Sequence, residues 1–537
     1  MVQLQQFAPQ IFNLIGKKRV YTISGILIRI DMNTSTYKSL YKSLTLLSLL
    51  AFFVAPIGVS AAVYGMPVTI NHPAPRIGES FGISVSISNN NVLIGIRNTS
   101  YASLFDATTG ALLQTFNSPT GGGELFGSSV SIDDDKVLIG AYVDDTGATD
   151  TGSAYLFDAT TGALLQTFNN PTPGEHDHFG WSVSISSDKI LIGAHNDNTV
   201  AYEAGSAYLF DATTGALLQT FNNPTSVSGD KFGSSVSISG DKMVIGVIGD
   251  TSPAYLYDAT TGALLQTFNN PTPGINESFG HSVSISGDKV LIGAYDDDTG
   301  ATNTGSAYLF DATTGALLQT FNNPTPAPDD IFGWSVSISG DKALIGARQD
   351  GTAVYDAGSA YLYDVTTGNL LQTFNNPTPA GNDQFGWSVS IDGDKLVVGA
   401  PYDDTGATNA GSVYLYLPDT DGDGIFDSLD NCPADANADQ TDTDSDGQGD
   451  LCDFTPNGDT DGDGVDELVD NCQGVANPGQ EDNDSDGIGN VCDPTPDGDP
   501  DPNPTSIEQC KNLGWIDFAF RNQGQCVAFV NTGHDSR

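Results

Sequence analysis

The segment Phe-Gly-x-Ser-Val-Ser-Ile occurs seven times, beginning at Phe81, Phe126, Phe179, Phe232, Phe279, Phe332 and Phe385. The interval is 53 residues for most units and 45 or 47 for two short ones. Within a unit the order is Ser-Val-Ser-Ile, a tight Gly-Asp-Lys turn, Val-Leu-Ile-Gly-Ala, a loop, Ser-Ala-Tyr-Leu-Phe-Asp, the turn Ala-Thr-Thr-Gly, and Ala-Leu-Leu-Gln-Thr-Phe. Short apolar or alternating runs between Gly, Asp and Thr turns are strands, so each unit reads as a four-stranded antiparallel meander. Four strands per repeat of about 40–50 residues make a propeller blade. The fold class expected is all-β, a seven-bladed propeller.

The ends of the array support closure. The seventh unit runs through Phe-Gly-Trp-Ser-Val-Ser-Ile, Lys-Leu-Val-Val-Gly-Ala and Gly-Ser-Val-Tyr-Leu-Tyr-Leu, then enters an aspartate run without a fourth strand. Ahead of Phe81 stands Pro-Val-Thr-Ile-Asn-His-Pro, which aligns with the fourth strand of later units. Residues 67–73 are therefore expected to form the outer strand of the last blade and remove an open sheet edge.

These units resemble FG-GAP repeats, the blade motif of integrin alpha-chain propellers and of many secreted prokaryotic proteins. The resemblance covers about residues 66–418, and the full Gly-Ala-Pro triplet stands only at Gly399, Ala400 and Pro401. Some integrin blades carry a calcium loop between their first two strands. Here that connection is the minimal turn Ser239–Lys242, so calcium within the propeller is not implied.

An acid stands two residues before every Phe-Gly: Glu79, Glu124, Asp177, Asp230, Glu277, Asp330 and Asp383. Recurrence in every blade points to a carboxylate that accepts backbone N–H groups in a turn. Trp181, Trp334, Trp387 and His281 share the position after Phe-Gly, on the strand face of the following Val and Ile, and are expected to pack between blades. The second-to-third-strand loops at Asp144, Asp297 and Asp403 share an acidic face with the fourth-to-first-strand loops. The lysines of the Asp-Lys turns, from Lys136 to Lys395, fall on the opposite face.

Beyond residue 418 the composition changes. Residues 419–501 hold 26 Asp and Glu and no Lys or Arg, within a chain of formal charge −48. Nucleic acid is excluded as a partner by that charge, and cations are favoured. Asp at positions 1, 3 and 5 of a loop followed by Gly arranges oxygen ligands around Ca2+. The pattern occurs four times: Asp419, Asp421, Asp423; Asp442, Asp444, Asp446; Asp459, Asp461, Asp463; and Asp482, Asp484, Asp486. Cys432, Cys452, Cys472 and Cys492 punctuate it at intervals of 20 residues, a register that an unstructured acidic linker has no reason to keep.

This segment is similar to two thrombospondin type 3 repeats, at Asp419–Asp453 and Asp459–Asp493. The resemblance implies further calcium ligands at Asp427, Asp430, Asp450 and Asp453, and at Glu467, Asp470, Asn490 and Asp493 in the second copy. Asn490 carries no charge, so the last site is expected to be the weakest. Six cysteines allow 15 pairings; the resemblance implies consecutive links, Cys432 to Cys452 and Cys472 to Cys492, with Cys510 to Cys526 beyond them. A Pro- and Asp-rich linker spans 494–504, and a small cysteine-pair module spans 505–537.

At the other end, Lys38 and Lys42, the apolar run Leu-Thr-Leu-Leu-Ser-Leu-Leu-Ala-Phe-Phe-Val and then Ser-Ala-Ala follow the order of a secretory signal. Residues 32–62 read as that signal, with cleavage near Ala61 or Ala62, and residues 1–31 as a start-site artefact before Met32. No second apolar span of about 20 residues follows, so no membrane span is expected in the mature chain.

Two functions of different class remain. One is a secreted or cell-surface, calcium-binding propeller for binding or adhesion, without catalysis, whose partner is an extracellular protein or glycan. The other is an enzyme, because Tyr-Leu-Phe-Asp-Ala-Thr-Thr-Gly resembles the blade motif of quinoprotein dehydrogenases. Those blades end in a docking Trp where this chain has Phe. The histidines His72, His176, His178, His195 and His281 stand at unrelated positions of the repeat, with His534 in the tail, and no nucleophile–base set is legible.

Overall fold

The computed structural model describes residues 21–23, 26–28, 64–121, 125–249, 253–272, 277–351, 354–485, 487–494, 496, 507, 511 and 523–532. Residues 32–62, Glu124, Asp486 and Cys510 lie outside the described residues. Met1–Ala61 is a separate unit in which Tyr21–Ile23 pairs antiparallel with Ile26–Ile28.

In the second unit, from Ala62 on, seven four-stranded antiparallel sheets follow one another, one for each repeat. Six are continuous in sequence. The seventh takes Ser388–Asp392, Lys395–Ala400 and Ser412–Tyr416 and receives Val68–Asn71 as its outer strand, with Val68 opposite Leu415 and Asn71 opposite Ser412. Ring closure by the two ends, expected from the strand count, is thus present.

The hydrophobic core lies between blades rather than within them. Leu93, Leu104 and Phe116 of blade 1 pack with Phe126, Ile139 and Phe157 of blade 2, and the same pattern recurs to the last junction, where Ile70, Val413 and Leu415 meet Phe81 and Ile94. The repeated Phe is at most 3% exposed in all seven blades.

The serines of Ser-Val-Ser-Ile explain why the strand alternates as it does. The first donates its hydroxyl to the Phe-Gly glycine carbonyl of the next blade, from Ser84 to Gly127 at 2.9 Å round to Ser388 to Gly82 at 2.8 Å. The second accepts the isoleucine N–H of the next blade, from Ser86 with Ile132 at 3.1 Å round to Ser390 with Ile87 at 3.1 Å. Two closed circles of hydrogen bonds therefore surround the axis. The Val and Ile between them stay in the apolar layer.

That carbonyl also dictates the glycine of Ile-Gly-Ala. A Cβ at Gly293 would stand 2.0 Å from Gly333 O and 2.3 Å from Ser282 Oγ, and the same collision recurs at each blade. Gly293→Ala is expected to destabilise the propeller by about 1–3 kcal/mol, because the blade junction has no room to give. A denaturant midpoint equal to that of the parent would contradict this packing.

The Asp-Lys turn lysines do not form a free cationic face. Lys189 Nζ is 3.0 Å from Asp241, and Lys242 and Lys342 likewise reach Asp288 and Asp394, each in the turn of the following blade. The Asp-x-x-Thr-Gly turn has a local role as well: Asp158 Oδ1 accepts Thr161 Oγ1 and N–H, both at 2.7 Å, which holds its carboxyl below the usual range. After the blades come the aspartate loops, and the helix Gln523–Thr532 lies near the C-terminus.

Candidate calcium loops and an axial cup

Each aspartate triplet is built by turns that its own carboxylates nucleate. Asp419 accepts the N–H of Gly422 at 2.9 Å and of Gly424 at 3.2 Å, and Asp442 and Asp459 repeat the arrangement. Asp423 Oδ2 then accepts Asn437 N–H at 2.7 Å, and Asp463 Oδ2 accepts Asn477 N–H at 2.6 Å, folding each half-repeat back on itself. The disulfides Cys432–Cys452 and Cys472–Cys492 are formed as the resemblance implied. Cys526 is also disulfide-bonded.

In three triplets, Asp419, Asp421, Asp423, then Asp442, Asp444, Asp446, then Asp459, Asp461, Asp463, one oxygen from each residue lies within 4.8 Å of the others. A hard divalent cation fits these groups, because oxygens that ought to have a partner have none. Asp421 Oδ2, Asp430 Oδ2, Asp453 Oδ2 and both oxygens of Asp461 are buried without a hydrogen-bond donor. Desolvation and then the charges of Asp423, Asp430 and Asp419 raise the Asp421 carboxyl above its ordinary value. Asp461 is raised by desolvation and then by Asp463, Asp470 and Asp459. Asp430 and Asp470 thus belong electrostatically with the first and third triplets.

The other residues implied by resemblance are placed differently. Both oxygens of Asp427 accept from Thr420, N–H and Oγ1 at 2.7 Å each, and Asp450 does the same with Thr443. Glu467 accepts Thr460 N–H at 3.0 Å, and Asn490 Oδ1 accepts Asn483 N–H at 2.9 Å. All four close their loops across seven residues. In the fourth triplet, Asp482 Oδ1 accepts Ser485 N–H at 2.7 Å. The first loop is anchored to the propeller, for Phe426 packs on the core between blades 7 and 1.

Among the described acids before Phe-Gly, Asp177, Asp330 and Asp383 accept the N–H of Gly174, Ala327 and Ala380 at 2.6, 2.7 and 2.6 Å as expected, Glu79 accepts that of Arg76 at 3.1 Å, and Asp230 accepts the side chains of Asn223 and Thr225 at 2.9 Å. Burial, reinforced by the charges of Asp197, Asp350 and Asp403, raises Asp177, Asp330 and Asp383 to about 6. The second-to-third-strand loops are not simply a solvated acidic face. Tyr155, Tyr208, Tyr308, Tyr361 and Tyr414 donate their phenols to the buried Asp144, Asp197, Asp297, Asp350 and Asp403 respectively.

The position after Phe-Gly corrects the expectation of packing alone. His281, Trp334 and Trp387 do touch across consecutive blades, with ring centroids 4.4 and 5.2 Å apart. The same rings, with Trp181, Ile83, Ser128 and Ser234, also line a cavity of about 330 Å3 on the axis. Seven strands bring their equivalent residues to one place, and the large side chains at four of them become a wall instead of a buried layer. The guanidinium of Arg348 lies 3.9 Å from the Trp334 ring centre and 4.7 Å from that of Trp387, and donates to Gln384 at 2.8 Å. Arg97 is the cation that lines the cavity itself. Three polar atoms of the lining residues are buried without a partner, Ser128 Oγ, Ser234 Oγ and His281 Nδ1, as is Nε of Arg348 against the two tryptophans. Burial lowers His281 to about 4, so its ring is neutral at physiological pH.

A ring of seven blades followed by disulfide-stapled aspartate loops defines a β-propeller protein with an acidic, metal-receptive extension. The FG-GAP repeat model matches residues 118–157, 173–210, 226–257, 275–310, 326–363 and 378–416, and the thrombospondin type 3 repeat model matches residues 418–440 and 441–480. The chain is therefore built of FG-GAP repeats followed by thrombospondin type 3 repeats. No curated protein matches it. Among solved structures, that of the computationally designed Ika8 protein aligns over 66% of this chain and 99% of its own length, at 15% identity and a TM-score of 0.40.

Proposed function

We propose that this protein works outside the cell, secreted or at the cell surface, as a non-catalytic binding or adhesion protein whose propeller takes an acidic glycan in the axial cup. The observation that carries the reading is a lining of Trp181, Trp334 and Trp387 with the unpartnered Ser128 Oγ, Ser234 Oγ and His281 Nδ1 among them and Arg97 at its wall. Sugar rings offer apolar faces for Trp to cover and hydroxyls for orphaned donors and acceptors, while a guanidinium suits a carboxylate. Arg97 in the lining and Arg348 against its tryptophans stand out in a chain of formal charge −48. In this reading the aspartate loops hold Ca2+ through Asp419, Asp421, Asp423 and Asp430, with their counterparts in the later loops, and serve as a stiff acidic stalk.

The alternative reading, a quinoprotein-like dehydrogenase, drew on the Asp-x-x-Thr-Gly turn. That turn has a structural account in the carboxylate bonds of Asp158 and its equivalents. A glycan array probed in millimolar calcium is expected to select uronic- or sialic-acid saccharides, and Trp334→Ala or Trp387→Ala to weaken binding by roughly 10–100-fold. Saccharide binding unaffected by both substitutions would overturn the cup as the site. Calcium-dependent dye reduction with a quinone cofactor would favour the enzyme.

A further inference from the structure

Three of the histidines that look unrelated in sequence, His176, His178 and His195, meet at one blade junction. Asp150 belongs to the loop between the second and third strands of blade 2, and His176 and His178 to the connection into blade 3. One carboxylate oxygen and one ring nitrogen from each histidine lie within 4.8 Å of one another, and His176 Nδ1 is 2.9 Å from Asp150 Oδ2. Two donors at about 2.1 Å from one tetrahedral ion stand about 3.4 Å apart, so closing on an ion needs the wider pairs to approach by at most about 1.4 Å and the Asp150–His176 pair to part by about 0.5 Å. We propose that this junction binds one transition-type divalent cation, of which Zn2+ is representative, through Asp150, His176 and His178, at a site distinct from the aspartate loops.

The other junctions show what the same backbone carries when no such chemistry is present. The three equivalent positions hold Glu203, Gly229 and Lys231; Asn303, Asp329 and Ile331; Asp356, Asn382 and Gln384; and Asn409, Gly78 and Ser80. All lie at positive φ, as do Asp150 at 50°, His176 at 62° and His178 at 58°. His is one of the residue types that tolerate this region, but Lys231, Ile331, Gln384 and Ser80 hold the same position as His178 at a similar φ, so backbone geometry does not require two imidazoles there. The loops are already held in place: His176 N–H donates to Thr149 O at 2.9 Å and His178 N–H to Asp150 O at 3.3 Å.

A supporting layer stands behind the donors. The side-chain amide of Asn196 lies 3.0 Å from His178 Nδ1, and Asn196 Oδ1 is buried without a partner. Turning that amide end for end gives His178 Nδ1–H an oxygen acceptor and leaves Nε2 with the lone pair a metal requires. His195, 6% exposed with its own Nδ1 unpartnered, sits 5.3 Å from the His178 ring centre. The His176 side chain is 61% exposed, so an ion has an entry path and a coordination position open to water. Imidazole donors favour zinc and its neighbours over calcium, whereas the oxygen-only loops have the opposite preference. The two sites are thereby separable by metal type.

The test uses the full untagged chain, stripped of metal and titrated with Zn2+ by calorimetry in millimolar calcium. One tight zinc equivalent is expected. It should change the fluorescence of Trp181, whose ring lies at 22° to that of His178 with centroids 6.3 Å apart. His176→Asn and His178→Gln, which copy the blade 6 to blade 7 junction, should weaken zinc binding by about 100-fold or more, beyond the 10–100-fold typical of a lost supporting residue. Both should leave the thermal midpoint in calcium alone unchanged. Asp150→Asn, the residue already present at Asn303 and Asn409, gives a third variant should either histidine change disturb folding. Zinc uptake equal to that of the parent in these variants, or no zinc bound by the parent once calcium fills the loops, would overturn the site.

Discussion

On transfer from millimolar calcium to excess chelator, residues 419–493 are expected to expand and lose amide protection while the blades keep theirs. The reason is electrostatic. Residues 419–501 carry 26 acids and no cation, and three triplets hold carboxylate oxygens within 4.8 Å. The buried unpartnered oxygens of Asp421, Asp430, Asp453 and Asp461 have nothing else to satisfy them. Little apolar surface offsets that repulsion, since Leu451, Phe454, Leu468 and Val469 are 61–96% exposed. With dissociation constants on the order of 0.1–1 mM, as for other extracellular modules, calcium at about 1 mM shifts each site toward the closed form by roughly 2- to 10-fold, and the factors multiply over the sites. Disulfides across separations of 20 residues limit the expansion without preventing it. Segment-resolved hydrogen exchange, with small-angle scattering of the full chain, measures both effects. Asp421→Ala with Asp423→Ala should reproduce the loss in the first loop alone. Equal exchange in calcium and chelator would show the loops to be self-supporting.

Removal of residues 64–74 should destabilise a blade that begins more than 300 residues later. Val68–Asn71 completes the sheet of Ser412–Tyr416, Ile70 is 2% exposed between blades 7 and 1, and Tyr64 is 4% exposed against Phe374 of blade 6. Tyr64 also exchanges bonds with Gln372, N–H to Oε1 at 3.3 Å and O from Nε2 at 3.0 Å, and His72 meets Tyr101 at 2.9 Å. Two large apolar side chains and a short ladder together amount to about 5 kcal/mol. For a propeller of this length that corresponds to a fall in thermal midpoint of roughly 5–10 °C. The bared edge of Ser412–Tyr416 should promote association as well. Ile70→Asp should give a smaller fall in the same direction. A deletion variant that melts and remains monomeric like the parent would refute closure by this strand.

The amino-acid sequence by itself determined the elements and much of their order. A repeat fixes blade number, a spare strand at one end and a missing one at the other dictate closure, and an acid at one place in every unit points to a turn group. The aspartate triplets were legible for a related reason, since their groups are near in sequence and spacing constrains geometry, whereas the links Cys432–Cys452 and Cys472–Cys492 were implied by the resemblance to thrombospondin type 3 repeats. Tertiary structure alone decided what the repeated positions face. Trp181, Trp334 and Trp387 lie 53 or more residues apart, and the strand alternation places them with Val and Ile. Only the curvature of the closed ring turns that register toward an open axis, where Arg97 and Arg348 join them from other loops. The junction of Asp150 with His176 and His178 was hidden for the same physical reason. Its groups sit at different positions of the repeat, and only the packing of blade 2 against blade 3 converts that offset into a distance of 2.9 Å. Asp427 and Asp450 show the converse, for their place in the motif did not foretell that each closes its loop on a threonine seven residues earlier.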